Sequence, residues 1–335
     1  ARGRGAVNWR TLVDGGLELS VVGSFTRVGP AVRRRLWTWE PLEAHRLDGR
    51  VAVVTGATSG LGRAAAERLA GLGATVVMLV RDPARGEGVA AGVRQATGSA
   101  VEVVRADLGD LDSVRHAGAE LRRHPRIDVL VHNAGALNAE RRLTAQNIEE
   151  TVATHVVGPL LLTELCLAQL VAAAPSRVIV VTSGGMYLQP LEVQRLQMAP
   201  DEYDGVTAYG RAKRAQVSLV AGCAPQLARR GVQLVAMHPG WADTPGLQRS
   251  LPRFHRVIGP LLRSADEGAD TIVWLASTPQ RELGPGPLWL DRSSRALHRL
   301  PRTARSDTVE QRRLLLEECR GLAGLSAPPA TAAPS

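Results

Sequence analysis

Lysine is almost missing from this chain. Of its 41 lysine and arginine residues, only Lys213 is a lysine. Aromatic side chains are also scarce, at 3% of Phe, Trp and Tyr by composition, with only Tyr187, Tyr203 and Tyr209 carrying phenols. The core must therefore be built from Val, Leu, Ala and Ile. Cysteine is limited to Cys166, Cys223 and Cys319, odd in number and far apart. This pattern fits neither a disulfide framework nor a paired metal site, and a reducing cytoplasmic setting is expected. No uninterrupted apolar run reaches the length of a membrane span. The best candidate, Val156 to Pro175, is broken by Glu164 and Gln169 and reads as a buried core helix. No apolar stretch near the first residue suggests a signal peptide.

The charge is uneven. The net charge is +9, yet residues 1–50 carry 9 Arg against 5 acids and residues 292–335 carry 8 Arg against 4 acids, so the body between is close to neutral. A nucleic-acid partner calls for a basic face on the folded body with aromatic stacking residues, and neither is visible, so none is expected.

The middle of the chain alternates strand and helix. Apolar runs at 51–55, 75–80, 101–104, 127–131, 177–183 and 232–237 read as strands, with a further short one near Trp289. Helical patterns lie between them, including 61–73, a long one through the 150s and 160s, and 208–229. Strands apolar on both faces and separated by helices require a parallel sheet covered on both sides. The expectation is an α/β, Rossmann-type doubly wound sheet in a single domain over 48–300. A basic extension (1–47) precedes it; a C-terminal helix and a disordered tail ending in LSAPPATAAPS follow over 301–335.

After the first strand comes TGATSGLG, leading straight into a helix. Thr55, Gly56, Ser59, Gly60, Leu61 and Gly62 form a turn in which glycines let the backbone approach a pyrophosphate resting on the helix N-terminus. The end of the second strand faces the adenosine ribose in such folds. Arg81 stands there, and Arg63 follows the last glycine, so two guanidiniums are available to a 2′-phosphate. Asp82, next to Arg81, argues the other way. The balance favours NADP(H) over NAD(H).

Tyr209 and Lys213 are four residues apart, on one face of a helix. An ammonium held near a phenol favours the phenolate and lowers its pKa. Bringing a Tyr from about 10 to about 7 requires roughly 4 kcal/mol. Arginine's planar fork does not replace a compact ammonium with three rotatable donors. A chain otherwise written in Arg thus places Lys where a point charge is needed, beside a general acid/base.

Together, Thr55-Gly56-x3-Gly60-x-Gly62, Asn133-Ala134-Gly135, Ser183 and Tyr209-x3-Lys213 resemble the short-chain dehydrogenase/reductase family over roughly residues 48–292. HPGWADTPG and VTSGGMYLQPL are similar to the subgroup of dehydrogenase/reductase SDR family member 12, itself similar to retinol dehydrogenases. The resemblance implies a nicotinamide-dependent oxidoreductase. Tyr209 would exchange the proton, Ser183 would hold the carbonyl or hydroxyl, and Lys213 would bind the nicotinamide ribose. Asp107 and Leu108 would lie at the adenine, and Asn133, Ala134 and Gly135 beside the adenine ribose. Pro239, Gly240, Trp241 and Thr244 would hold the nicotinamide end. His155 stands where the family has an Asn that holds a relay water, and His132 replaces an Asn common in the family.

By the same resemblance Met186, Tyr187, Trp241 and residues 245–264 would line an apolar pocket, which implies a hydrophobic alcohol or carbonyl substrate. Family members often form dimers or tetramers, so a homodimer or homotetramer is expected unless the extension covers the usual contact. Within that extension Phe25, Val28, Val32 and Leu36 recur at helical spacing beside Arg27, Arg33, Arg34 and Arg35, a pattern suited to peripheral contact with an anionic membrane.

Overall fold

A computed structural model describes residues 9–325. Most of the C-terminal tail lies outside them. The strands are β1 (Val51–Thr55), β2 (Thr75–Val80), β3 (Val101–Arg105), β4 (Val129–His132), β5 (Ser176–Val181), β6 (Val232–Met237), β7 (Leu288–Leu290) and β8 (Ser293–Ser294). They form one sheet in the order β3-β2-β1-β4-β5-β6-β7-β8. The first seven pair in parallel, and only β8 runs antiparallel to its neighbour.

The strands carry apolar residues at successive positions because both faces are covered. Val53, Val77, Leu130, Val178 and Ala236 pack under helices Leu111–Leu121, Gly158–Leu165 and Gly205–Ala228. Val54, Met78, Val131, Ile179 and Met237 pack on the other side under Gly60–Gly71 and Ala265–Ser277. Neighbouring residues in a strand thus serve opposite cores, as expected of a doubly wound Rossmann-type sheet. The strand order reverses between β1 and β4. In open parallel sheets a ligand crevice opens beyond the carboxyl ends of the strands at that point.

Two elements depart from the sequence pattern. The long helix of the 150s is interrupted: Glu150–Val152 is followed by a π-helical turn, Ala153–Val157, before Gly158–Leu165. Such turns often mark functional sites. The N-terminal extension folds as Trp9–Leu19, Val21–Phe25 and Val28–Leu36 and packs on the sheet domain. Pro30 falls in the first turn of the last of these, where no helical N–H is lost. Of the face expected to meet a membrane, Phe25 and Leu36 are buried, Val32 is half-buried and Val28 is 42% exposed, while Arg33 is fully buried among carboxylates. Among the described residues no helix is long and apolar enough to cross a membrane.

Candidate active site

The glycine turn leaves β1 as the sequence implies. Gly56 has φ +67° and Gly60 φ +54°, a region L side chains rarely adopt. A Cβ on Gly56 would lie 2.8 Å from Ala134 Cα, and one on Gly62 would lie 2.3 Å from Asn133 Nδ2. Ser59 caps helix Gly60–Gly71 by position, but its side chain makes no bond to the first-turn amides. With no side-chain cap on those donors, the glycine turn and helix start fit a pyrophosphate. Thr244 closes the far side: its methyl would be 3.1 Å from a Cβ on Gly60, and its hydroxyl accepts from Leu247 N at 3.2 Å, capping helix Pro245–Ser250. Leu61 is half-buried, its methyl against Gly268.

Several residues expected at the cofactor also make bonds within the protein that shape the site. Thr55 is buried, and its hydroxyl donates to Val131 O and accepts from the backbone N–H groups of Asn133 and Ala134 at 2.9 and 3.0 Å. The Asn133 amide donates to Thr55 O at 3.0 Å. These bonds tie the end of β4 to the turn after β1. Leu108 is a core residue. Asp107 accepts from Gly109 N at 2.9 Å, while its own N–H donates to Ser113 Oγ at 3.0 Å. Arg63 is bonded to Glu67 at 2.7 Å. Arg81 is exposed at the end of β2. Gly135 is exposed, but a Cβ there would lie 2.3 Å from His155 Cε1.

Tyr209 and Lys213 share one face of helix Gly205–Ala228, which starts at Asp204, its side chain accepting from Thr207 N. Thr182 Oγ1 donates to Lys213 O at 3.1 Å and pins this helix to the end of β5. The next residue, Ser183, lies beside the Tyr209 phenol and favours its ionised form. Lys213 Nζ donates to Val181 O at 2.9 Å and lies 5.4 Å from the Tyr209 ring centroid. Ser183, Tyr209 and Lys213 thus meet beyond the carboxyl end of β5, beside the switch point.

Burial pushes the Tyr209 phenol up in the protein by itself, partly offset by Ser183. Burial lowers Lys213 to about 7. The ammonium sits over the ring and bonds a carbonyl instead of the phenol oxygen, so desolvation outweighs attraction for both groups.

His155 lies within the π turn, its ring 5.2 Å from that of Tyr209 and edge-on to it. Nε2 donates to Ala136 O at 2.8 Å, and buried Nδ1 has no partner. Burial, reinforced by the Lys213 charge, pushes its pKa down to about 3. At neutral pH the ring is therefore a neutral imidazole. Gln216, one turn beyond Lys213, donates to the His155 carbonyl at 2.7 Å. That contact was missed in the sequence; its signal was an amide three residues after the Lys on the same face.

In the loop after β6, where the resemblance implies the nicotinamide end, Pro239 is buried and Gly240 has φ +72°. A Cβ on Gly240 would lie 2.4 Å from Arg263 Nε and 2.5 Å from the Phe25 carbonyl. Trp241 is half-buried between Phe25 and Phe254. Met186 and Tyr187 do not line an open pocket: both are core residues, with Tyr187 donating to Ala296 O at 3.1 Å. Their short 3₁₀ helix, Gly184–Leu188, turns them inward, beneath the helix that carries Tyr209.

The short chain dehydrogenase family model matches residues 50–253. Dehydrogenase/reductase SDR family member 12 from Bos taurus is 36% identical over 82% of this chain and 87% of that protein. Retinol dehydrogenase 14 from Homo sapiens is 34% identical over 76% of this chain and 81% of its own length. Among solved structures, a short chain dehydrogenase from Burkholderia cenocepacia J2315 in complex with NADP is similar at 26% identity and TM-score 0.58, covering 71% of this chain and 94% of that one. Motif, topology and relatives agree: the chain belongs to the short-chain dehydrogenase/reductase family.

Proposed function

We propose that this protein is an NADP(H)-preferring reductase of hydrophobic carbonyl compounds with Tyr209 as its proton donor. One observation carries the reading: Ser183, Tyr209 and Lys213 meet at the end of β5, beside a turn with uncapped helix amides. The cofactor, when bound, supplies a hydride to the carbonyl carbon. Ser183 holds the carbonyl oxygen, and Tyr209 gives it a proton. The raised phenol keeps that proton at neutral pH, which suits reduction. Lys213, with a pKa of about 7, has further donors for the nicotinamide ribose and returns a proton to Tyr209. Arg81 supports the 2′-phosphate preference, and so does the relative solved with NADP. A retinol dehydrogenase among the relatives supports an apolar substrate.

A second reading, a nucleotide-binding sensor with weak catalysis, is favoured by His155. Its ring stands in place of the relay Asn, and its carbonyl already accepts from Gln216, which leaves one lone pair for a relay water. NADPH and NADH are titrated into the wild type, and NADPH oxidation is followed across a panel of apolar aldehydes and ketones. Tyr209→Phe should retain NADPH binding and lose on the order of 10²–10⁴-fold in turnover, the range of one positioned acid. Tight NADPH binding without oxidation by any carbonyl establishes the sensor; unchanged turnover in Tyr209→Phe removes Tyr209 from the reaction.

A further inference from the structure

The chain has only two phenylalanines, and both pack against Trp241. Phe254 meets its ring edge-on at 5.0 Å from the substrate side of the loop after β6. Phe25 meets it edge-on at 5.8 Å and comes from the N-terminal segment, outside the residues matched by the family model. The same ring lies 4.6 Å from His238 and touches the loop that bears Ser183. A Cβ on Gly184 would lie 2.4 Å from Phe25 Cε2. Its backbone takes part as well, accepting from Trp241 N at 2.7 Å. One residue thus supports both loops at the reacting end of the site.

Phe25 is itself held in place. Buried Arg263 donates to the Ser24, Phe25 and Thr26 carbonyls and forms a two-pronged pair with Asp291 at 2.6 and 2.9 Å. Arg33 binds Asp291 from the N-terminal side at 2.5 Å. The Arg299 guanidinium lies 5.0 Å over the Phe25 ring. Edge-to-face aromatic contacts fix ring orientation as well as adding burial.

We propose that Phe25 is a positioning residue for this reaction: it orients Trp241 from one edge and supports the Ser183 loop from beneath, which sets the carbonyl-binding end of the site. The N-terminal segment is on this basis part of the catalytic unit rather than an appendage. The inference rests on the reading of Ser183 and Tyr209 as the reacting groups.

Phe25→Leu and the unbranched Phe25→Met are compared with Leu121→Ala, a core truncation in helix Leu111–Leu121 away from the site. NADPH affinity is read by fluorescence, KM and kcat with phenanthrenequinone, and the near-UV circular dichroism band that disappears in Trp241→Phe. Both Phe25 variants should raise KM about tenfold, change NADPH affinity less than KM, and weaken the Trp241 band; about tenfold corresponds to about 1.4 kcal/mol. Leu121→Ala should lower the melting temperature and leave KM and band unchanged. Phe25 variants with wild-type KM and an unaltered band overturn the proposal, as does an equal rise in KM for Leu121→Ala. If the wild type binds NADPH but does not reduce the quinone, the carbonyl-reductase reading fails for that substrate, while the Trp241 band still decides whether Phe25 positions Trp241.

Discussion

At the scale of single residues, the chemistry is set by which groups are desolvated. Lys213 and His155 are both buried, and burial lowers both pKa values, to about 7 and about 3. For His155 the consequence is a pH-dependent stability. An unfolded chain takes up a proton on this ring near its ordinary value of 6.5, whereas the folded protein resists it until about 3. Stability from this group is complete above about 6.5 and falls as the pH drops toward 3. His132, also pushed down to about 3, and His238, pushed well below its ordinary value, act in the same direction. His155→Asn should therefore flatten the acid side of the stability profile by up to one proton, about 1.4 kcal/mol per pH unit. Urea denaturation between pH 4 and 7 reads this slope (window set by the shift above). A slope identical to wild type shows that His155 is not the neutral buried imidazole described here.

At the scale of elements, the two turns at the carboxyl ends of β1 and β6 depend on glycines whose conformation no other residue replaces cheaply. Gly56 combines positive φ with a backbone neighbour 2.8 Å from the added Cβ. That neighbour is Ala134 Cα, part of the strand connection, and it has no flexible end to swing away. Gly56→Ala should cost about 1–3 kcal/mol of stability and weaken NADPH binding. Calorimetry with and without NADPH separates the two effects; an alanine variant that binds NADPH as tightly as wild type shows that the turn does not approach the phosphates closely. The interruption of the helix at Ala153–Val157 was not legible in the sequence. No Pro or Gly lies within that turn, and its apolar pattern continues through it. The amphipathic spacing in 25–36 was real, but its facing partner was invisible, since Phe25 meets residues far along the chain.

At the scale of the whole molecule, ion pairs of Arg295 and Arg299 join the two basic ends noted in the sequence. Arg295 binds Asp14 at 2.7 Å and Arg299 binds Glu18 at 2.5 Å, so C-terminal arginines close on N-terminal acids. Asp291 sits at the centre, 2% exposed, facing Arg33 and Arg263, which are both buried. A buried ion network is weak evidence for stability as such, but removing one partner strands the others. Asp291→Ala should cost about 3–5 kcal/mol and release the N-terminal segment to protease. Guanidinium titration and limited proteolysis measure both; a variant as stable and as resistant as wild type shows that the segment is held by apolar packing alone.

The sequence by itself determined the alternating strands and helices, the glycine turn, and the Tyr209–Lys213 pairing on one helical face. All of these depend on local periodicity or on spacing within one element. Tertiary structure alone decided that burial acts on the phenol, that Met186 and Tyr187 turn into the core, and that Gln216 donates to the His155 carbonyl. It also placed Phe25 against residues more than 200 positions away in the chain. Desolvation and long-range packing are sums over neighbours brought together by folding, and no local pattern in the chain encodes them.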